Sequence, residues 1–350
     1  MTTRGGSHAM RPTGSPRWGR RALLVGGVAV AGYAGFAVWP RSEGDPSPTP
    51  PTTSAPEATD SASPSGSTAA GRFPGDPGDK VYLGVSLSID QPLSEKAAEI
   101  GSSPTMTRRF YKDHQVGLMS SMATQDIEQG ALPFLSVKVP GSWASVAQGE
   151  RDEWLDGLLA GLDAAGGPIF LALHHEPEND SAESGHSPEA WQEMQRRARD
   201  RAARKAPQVT VVPVLMQWTF NPDSGRDPRE WVPKDFPLLG VDIYNIWSPT
   251  DDKIWNDFAQ LFNQVRAELS DEQAIVVPEL GTPQDPLDPQ RASQWLRDAY
   301  NVAAEAGVVG LAWFDSPFSD PTIGDTRLGD AGDATIRELI DSPRTARLGQ

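Results

Sequence analysis

The sequence predicts a (β/α)8 barrel, and three observations support that fold class. From Lys80 to the C-terminus, about 270 residues alternate short apolar runs with longer amphipathic stretches. That length is close to the usual size of such a barrel. The alternative, an open doubly wound sheet, is expected to carry a glycine-rich phosphate-binding turn after its first strand, and Val85-Ser86-Leu87-Ser88 is not one.

The eight strand candidates are apolar runs of about five to eight residues that are bounded by glycine, proline or polar residues. In chain order they are Val81–Ser86, Thr105–Tyr111, Leu132–Val137, Pro168–Leu173, Val209–Met216, Leu238–Ile243, Ala274–Pro278 and Val308–Phe314. Their length and punctuation are typical of buried parallel strands.

Amphipathic stretches with a helical period follow these runs. The clear ones are Glu150–Ala165, Ser187–Ala206 and Asp252–Leu269, and the shorter ones are Pro92–Ile100, Leu118–Gln129, Arg291–Ala306 and Ala331–Ile340. Ser187-Pro188 and Asp288-Pro289 each read as an N-cap residue followed by proline at the first helical position. The segment Pro228–Pro233 supports no more than one helical turn.

The N-terminal 39 residues have the pattern of a targeting segment rather than of a fold. Residues 1–21 contain five arginines and no acidic residue, and residues 22–39 are uncharged and mostly apolar. The length of the apolar run is at the lower limit for a membrane span. We expect an uncleaved anchor, with a cleaved signal peptide as the alternative. Because the arginines precede the span, the N-terminus is expected in the cytoplasm and the remainder outside the cell.

Residues 40–78 are predicted to form a linker, because prolines are interleaved with Ser, Thr, Ala and Gly throughout. Such a segment cannot bury enough apolar surface to offset the entropy of ordering it. It is therefore expected to be an extended, semi-stiff tether. The predicted barrel domain then covers residues 79–345.

The charge and the cysteine content exclude several classes of partner and chemistry. Without the five N-terminal arginines, 26 basic residues remain against 47 acidic ones, a net charge of −21. So acidic a body is not expected to bind nucleic acid or an anionic membrane surface. The chain contains no cysteine, which excludes disulfides, thiol catalysis and cysteine–zinc sites. A monomeric exported enzyme that acts on a neutral substrate fits this composition.

Two glutamates end two of the predicted strands. Glu176 follows Pro168–Leu173, and Glu279 follows Ala274–Pro278, with a gap of 103 residues (279 − 176). At roughly 30 to 35 residues per βα unit this gap is three units, which puts the glutamates after the fourth and seventh strands on one face of the barrel. Two carboxyl groups that flank a glycosidic bond are the minimum requirement of a glycosidase. In a retaining enzyme they lie about 5 to 5.5 Å apart, and roughly 7 to 9 Å would indicate inversion.

This arrangement resembles the clan A retaining glycoside hydrolases, whose hallmark is a pair of glutamates after strands four and seven. The pair His175-Glu176 resembles glycoside hydrolase family 26, the β-mannanase family, since many other clan A families carry Asn before the glutamate. The resemblance covers roughly Lys80 to Arg344. It implies that Glu176 is the acid/base, that Glu279 is the nucleophile and that the substrate is a β-linked polysaccharide such as β-1,4-mannan.

The resemblance also implies roles for four substrate-binding residues. His175 would contact substrate or orient the site, and Tyr244 would donate a hydrogen bond to the nucleophile. Trp313 would be the sugar platform of the eighth strand, and Trp218 would form another aromatic wall at the end of the fifth. Lys138 stands at the end of the third strand, where the family has a His, and is the fifth candidate.

The chain departs from the family in ways that bear on mannan specificity rather than on the retaining chemistry. Pro177-Glu178 stands where the family usually has Met-Asn, and the next residues hold no tryptophan. The rival hypotheses are a non-catalytic carbohydrate-binding or cell-envelope barrel and a sugar-active enzyme of another class. The sequence holds no G-x-S-x-G nucleophile elbow, which weighs against an esterase. No cofactor or metal is predicted, because His174 and His175 are adjacent and would point to opposite sides of a strand.

Overall fold

The computed structural model describes residues 71–248, 253–317 and 324–349. The predicted basic segment 1–21, the apolar segment 22–39 and residues 40–70 of the predicted linker lie outside the described residues. Within the described ranges no helix is both long and apolar enough to cross a membrane.

The described residues form a barrel of parallel strands, as the sequence predicts. The strands are β1 (Tyr82–Ser86), β2 (Met106–Tyr111), β3 (Leu132–Val137), β4 (Ile169–Leu173), β5 (Val209–Val211 and Val214–Met216), β6 (Leu238–Tyr244), β7 (Ala274–Gly281) and β8 (Gly310–Trp313). Each strand pairs in parallel with the next one along the chain from β1 to β5 and from β5 to β8. The eighth strand pairs with the first, so the order is that of a (β/α)8 barrel.

The fifth strand is one predicted run that the structure divides into two segments. Its first segment pairs with β4 and its second pairs with β6. Between them, the Val212 N–H donates to the Leu171 carbonyl (2.8 Å), and the Pro213 carbonyl accepts from the Gly240 N–H (2.8 Å). Proline has no N–H to continue a ladder, which explains the break at this position. The two segments together close the barrel.

Helices cover the outside of the barrel. They are α1 (Leu93–Ile100), α2 (Val116–Glu128), α3 (Trp143–Ala147), α4 (Asp152–Asp163), α5 (Pro188–Lys205), α6 (Pro228–Trp231), α7 (Phe258–Arg266), α8 (Arg291–Ala306) and α9 (Gly329–Ile340). Ser187 caps α5 as predicted, since its side chain accepts from the Ala190 N–H.

One predicted helix start and one predicted N-cap are wrong. The helix predicted from Asp252 begins at Phe258, because the Asp257 N–H donates to the Gln260 side chain (3.0 Å) and caps the helix there. The helix Arg291–Ala306 begins where it was predicted, but its N-cap is Gln290, so Asp288 is not the N-cap and Pro289 is not its first residue. The Asp288 carboxylate instead accepts from the Gln290 N–H (3.1 Å) in a turn before the helix.

The core has two layers, and alternation along each strand assigns side chains to one or the other. One apolar cluster joins strand residues such as Leu311 to residues of the helices, so it lies between the barrel wall and the helices. The second cluster contains Met106, Phe134, Phe170 and other strand residues but none from the α-helices, so it fills the barrel interior.

The bottom of the barrel is closed by residues that the sequence assigned to the linker. Phe73 is 8% exposed, and its ring lies edge-on to Phe170 with centroids 6.0 Å apart. The Thr210 hydroxyl donates to the Pro74 carbonyl (2.9 Å). The predicted boundary at residue 78 is therefore wrong, because residues 71–78 pack on the interior cluster. At the other end the Ala346 N–H donates to the Val81 carbonyl (3.0 Å), so the domain extends past residue 345.

Replacing Phe73 with alanine in a protein that begins at Gly71 is expected to lower the free energy of unfolding by about 3 kcal/mol, because it opens a cavity under the interior cluster. The matched control is Arg72→Ala, which removes a half-exposed side chain paired with Asp76 and is expected to cost under about 1 kcal/mol. Urea unfolding followed by tryptophan fluorescence measures both. Equal midpoints for Phe73→Ala and the parent would show that residues 71–78 do not support the barrel.

Candidate active site

The polar side chains singled out by the sequence meet at one end of the barrel. Glu176 follows β4, Glu279 lies near the end of β7, and Tyr244 is the last residue of β6. In a parallel barrel these C-terminal ends form one face, which is where barrel enzymes carry their catalytic groups. The Glu279 charge acts on Glu176 and on Tyr244, which places the three side chains in one site.

Glu279 lies in an irregular part of β7. Val277 pairs with Leu311 and Leu280 with Trp313, so β7 has one residue more than β8 between these pairs. The pairing with β6 shifts over the same part of β7. The extra residue forms a bulge around Pro278 and Glu279. Bulges near active sites re-aim a side chain, and here the bulge directs a carboxylate into the site.

The Glu279 carboxylate is buried and accepts two hydrogen bonds from different strands. Oε1 accepts from Arg108 Nη2 (2.8 Å), and Oε2 accepts from the Tyr244 hydroxyl (2.8 Å). His175 Nε2 lies 4.0 Å from Oε1. Donors from two other strands hold its two oxygens in place, so Glu279 is a fixed side chain paired with an arginine.

Arg108 is a site residue that the sequence interpretation missed. Its side chain is fully buried, and Nη1 donates to Ser136 Oγ (2.6 Å) while Nη2 holds Glu279. The guanidinium lies over the rings of Phe110 (4.2 Å) and Phe134 (4.9 Å). Its ion-pair partner is the nucleophile candidate.

The neighbouring Arg109 has a different partner. Arg109 is also fully buried, and its Nε and Nη2 donate to the two carboxylate oxygens of Asp126 at 2.9 Å each. Successive strand residues face opposite sides, so Arg108 points into the barrel and Arg109 toward the helices. Two adjacent arginines inside a predicted strand were the available signal, since each needs a buried acidic partner.

Exchanging each arginine for lysine separates the two roles. Arg108→Lys is expected to lower kcat/KM by about 10- to 100-fold, because a charged hydrogen bond worth about 1.5–3 kcal/mol to Glu279 is lost or weakened. Arg109→Lys is expected to lower the unfolding free energy by about 1.5–3 kcal/mol, because its bond to Asp126 is lost or weakened. Its kcat/KM should stay within about three-fold of the parent value. Kinetics and urea unfolding on both variants measure this. The same loss of kcat/KM in both would show that Arg108 acts only through stability.

The backbone that carries Glu176 is strained. His174 (φ 49°) and Glu176 (φ 50°) adopt the left-handed conformation, which non-glycine residues seldom adopt. The Glu176 N–H donates to the Val214 carbonyl (3.0 Å), which fixes the end of β4 against the second segment of β5. Such strain concentrates at functional sites, where surrounding structure compensates for it.

The charge environment of Glu176 is opposite to that of Glu279. Burial raises the pKa of Glu176 well above its usual range, and the negative charges of Glu279 and Glu178 raise it further, against a smaller opposing effect of Arg108. The protonated form of Glu176 is therefore favoured. Such a carboxyl group beside a second one that is paired with an arginine is the combination that acid-assisted displacement requires.

His175 lies beside Glu279, and its neutral form is favoured. Burial lowers its pKa well below the usual value, and the positive charges of Arg108 and Lys138 lower it further. Its ring lies 5.3 Å from that of Phe110. A neutral ring beside Glu279 can offer a hydrogen bond to a sugar hydroxyl without adding charge to the site.

Lys138, His174 and Asp180 form a polar cluster at the rim. Lys138 Nζ donates to Asp180 Oδ2 (2.9 Å), His174 Nε2 lies 2.6 Å from the same oxygen, and the two nitrogens are 3.0 Å apart. The hydrogen bond from His174 and, less strongly, the one from Lys138 hold the pKa of Asp180 far below its usual range. The cluster ties the end of β3 to the turn that follows Glu176.

Glu178 supports the loop that carries Trp218. It is 5% exposed, and its Oε1 accepts from the Met216 N–H (2.9 Å) and from the Thr219 hydroxyl (2.7 Å). Burial raises the pKa of Glu178. Trp218 lies in the short helical turn Gln217–Phe220 after β5 and is half-buried, so part of its ring remains open to solvent. Glu178 is thus neither solvated nor in a position to replace Glu176.

The assignment of Trp313 as the sugar platform is contradicted by the structure. Trp313 is 1% exposed, lies edge-on to Trp295 of α8 (6.1 Å) and donates through Nε1 to the Thr326 carbonyl (2.6 Å). It therefore lies between the barrel wall and the helices. The next residue, Phe314, faces the site, with its ring 5.9 Å from Tyr244 and 6.4 Å from Phe110.

No group of three or more His, Asp or Glu side chains is arranged to hold a metal ion within the residues that the structure describes.

Comparison with solved structures defines the class of fold. A glycoside hydrolase family 26 β-(1,4)-mannanase from Podospora anserina has a TM-score of 0.51 and 16% identity, and the match covers 77% of this chain and 62% of that one. An endo-β-1,4-mannanase from Cellulomonas fimi gives 0.51 and 16%, over 77% and 72%. A glycoside hydrolase family 5 enzyme from Prevotella bryantii gives 0.53 and 11%, over 77% and 100%.

This chain therefore has the (β/α)8 fold that these glycoside hydrolases share, as the sequence resemblance predicted. No family model matches the chain, and no curated protein matches its sequence. The match spans less than two thirds of the length of the Podospora enzyme. At these identities the likeness establishes the fold, and the activity has to be argued from the site.

Proposed function

We propose that this protein is a retaining glycoside hydrolase, related to family 26, that cleaves a β-linked polysaccharide. One observation carries the proposal: two glutamates on one face of the barrel have unlike surroundings. Arg108 and Tyr244 donate to the Glu279 carboxylate, while burial and the Glu279 charge raise the pKa of Glu176. This difference supplies a nucleophile and an acid in one site.

In the first step the Glu279 carboxylate attacks the anomeric carbon, and Glu176 gives its proton to the leaving glycosidic oxygen. The bond between the anomeric carbon and that oxygen breaks, and a glycosyl ester forms on Glu279. Arg108 and Tyr244 orient the two carboxylate oxygens, so that the nucleophile does not reorganise during attack.

In the second step water attacks the anomeric carbon and releases Glu279. Ester formation removes the negative charge of Glu279, which is the largest charge effect that raises the pKa of Glu176. The pKa of Glu176 then falls, and the ionised side chain can take a proton from the attacking water. The charge interaction between Glu279 and Glu176 thus serves both the acid and the base role of Glu176. Because the reaction consists of two displacements, the anomeric configuration is retained.

We further propose β-1,4-mannan as the substrate class. The family 26 resemblance of His175-Glu176 and the two mannanases of like fold support it. The aromatic platform at the end of β8 differs from the one that the resemblance implies, since Phe314 rather than Trp313 faces the site. Lys138 at the rim is engaged with Asp180. These differences leave other β-glycans as competing substrates.

Release of reducing ends from a panel of β-mannan, β-glucan, cellulose and xylan tests the proposal, with Glu279→Gln as the inactive control. We expect more reducing ends from β-mannan than from any other glycan of the panel. Release from another β-glycan alone would refute the mannan assignment and keep the hydrolase. Binding to a glycan with no release by the parent would instead identify a non-catalytic binding barrel.

We also propose that the enzyme is exported and acts as a monomer tethered outside the cell by its N-terminal segment. The basic–apolar–proline-rich order of residues 1–70 supports this. Protease treatment of intact cells should release an active barrel domain. Recovery of the whole chain in the cytosol would contradict the proposal.

A further inference from the structure

Two short helical turns border the candidate active site. The acid turn, Pro177–Asn179, begins directly after Glu176, and the tryptophan turn, Gln217–Phe220, carries Trp218. Glu176 adopts a strained left-handed conformation, which persists only where surrounding contacts hold the backbone. The contacts of the acid turn therefore help to fix the direction in which Glu176 points.

Arg226 joins these two turns. Its Nη2 donates to Asn179 Oδ1 (2.7 Å) in the acid turn, and its Nη1 donates to Thr219 Oγ1 (3.2 Å) in the tryptophan turn. The sulfur of Met216 lies beside both partners, since it accepts from Nη1 (3.7 Å) and from the Asn179 amide group (3.4 Å). A guanidinium can bind acceptors in two turns at once because its donors form a rigid fork, whereas an ammonium group is a single point.

Glu178 adds a second connection between the same turns. Its Oε1 accepts from the Thr219 hydroxyl (2.7 Å) and from the Met216 N–H (2.9 Å). The one hydrogen of the Thr219 hydroxyl is therefore directed at Glu178, which leaves the oxygen lone pairs to accept from Arg226. The three side chains form a continuous chain of hydrogen bonds, and such bonds strengthen one another.

The loop after the tryptophan turn is shaped to place this guanidinium. The chain reverses at Gly225, whose φ of 70° glycine adopts without strain, and the Arg226 N–H donates to Ser224 Oγ (3.1 Å). Arg226 is half-buried and bound to uncharged acceptors. Arg229 of the same loop is 75% exposed and pairs with Asp227 two residues away. Of these two arginines, Arg226 is thus the one that connects separate parts of the site.

We propose that Arg226 is a positioning residue that fastens the acid turn to the tryptophan turn, so that Glu176 and Trp218 keep fixed places relative to a bound sugar chain. Without the guanidinium the acid turn loses its bond at Asn179, and Glu176 delivers its proton to the glycosidic oxygen with poorer geometry. The effect on proton delivery rests on the proposed hydrolase function, whereas the link between the two turns does not.

Hydrogen exchange followed by mass spectrometry tests the link in the full chain in detergent, without any substrate. Arg226→Met should make peptides that cover residues 176–181 and 216–221 exchange at least about ten-fold faster, because a charged hydrogen bond that opposes local opening is lost. The matched control, Arg229→Met, removes an exposed arginine of the same loop and should leave both peptides as protected as in the parent. Unchanged exchange in Arg226→Met, or faster exchange confined to residues 221–227, would overturn the proposal.

Arg226→Lys is the second variant, since it keeps the positive charge and disturbs folding least. Its ammonium group can bind Asn179 or Thr219 but cannot reproduce the fork that binds both, so at least one of the two turns should lose protection. Full protection of both turns in Arg226→Lys would show that the fork is not needed and would equally overturn the proposal.

The dependence of the rate on the leaving group tests the effect on proton delivery. Arg226→Met is expected to lower kcat/KM on the glycan that the parent cleaves by about 10- to 100-fold, because a misplaced acid gives little help to a poor leaving group. On an activated aryl glycoside, whose departure needs little protonation, the loss should be at least about ten-fold smaller. A merely structural role would lower both values by the same factor, and that result would overturn the positioning role. Failure of the proposed function would show differently, as a parent that releases no sugar from any glycan.

Discussion

Replacing Glu279 with alanine should abolish hydrolysis of the natural polysaccharide, with a loss of at least about 10⁴-fold in kcat, because it removes the group that forms the glycosyl ester. The variant leaves space beside Arg108 and Tyr244, which hold the Glu279 carboxylate in the parent. A small anion such as azide can enter and attack the anomeric carbon in its place. A single displacement then gives a glycosyl azide of inverted configuration, which NMR of the product identifies.

The control for this variant is Glu183→Ala, an exposed glutamate in the loop after β4, which should leave kcat and product configuration unchanged. A glycosyl azide of retained configuration from Glu279→Ala would assign the acid/base role to Glu279 instead. Unchanged activity would remove Glu279 from the chemistry.

Replacing Glu176 with alanine should lower kcat/KM on the natural polysaccharide by at least about 10²- to 10⁴-fold, because general acid assistance to a poor leaving group is lost. An activated aryl glycoside needs little protonation, so its first step should survive while hydrolysis of the glycosyl ester becomes slow. Azide should then restore turnover with retained configuration, since it attacks the ester without needing a base.

Burst kinetics with an aryl glycoside measure this result, since the leaving group should appear in one fast equivalent before the slow phase. Equal losses on the activated and natural substrates, with no burst, would contradict the acid/base role of Glu176. The matched comparison is Glu178→Gln, which changes the nearby buried glutamate that holds the Met216 N–H and the Thr219 hydroxyl. It should show no preference for the better leaving group.

The sequence predicted the barrel because its main signals are local. Each βα unit has an apolar run and an amphipathic stretch, and both follow from side-chain periodicity within a few residues. The errors arise where a single local contact decides where a strand breaks or a helix begins. Pro213 interrupts β5 because it lacks an N–H, and the contact between Asp257 and Gln260 starts α7 later than the apolar stripe suggests. Phe73 sits in a proline-rich context, so its burial depends on the interior cluster that it covers.

The site residues were predictable where a side chain suited to catalysis stands at the C-terminal end of a predicted strand. Glu176, Glu279 and Tyr244 follow from that rule and from the resemblance, and the hydrogen bond between Tyr244 and Glu279 is present in the structure. Arg108 could not be distinguished from Arg109 without knowing which face of β2 points inward. Trp313 and Phe314 differ by one residue along β8, and that step decides which ring faces the site.

The central claim, that Glu279 is the nucleophile of a retaining glycosidase, is tested most directly by trapping the intermediate. Incubation with activated 2-deoxy-2-fluoro β-mannosides and β-glucosides slows the second step more than the first, so the glycosyl ester accumulates. Peptide mass spectrometry should then find one fluorosugar on the peptide that contains Glu279, and none in Glu279→Gln. A fluorosugar on another carboxyl group, or hydrolysis of the natural glycan by an enzyme that none of these reagents labels, would contradict the account.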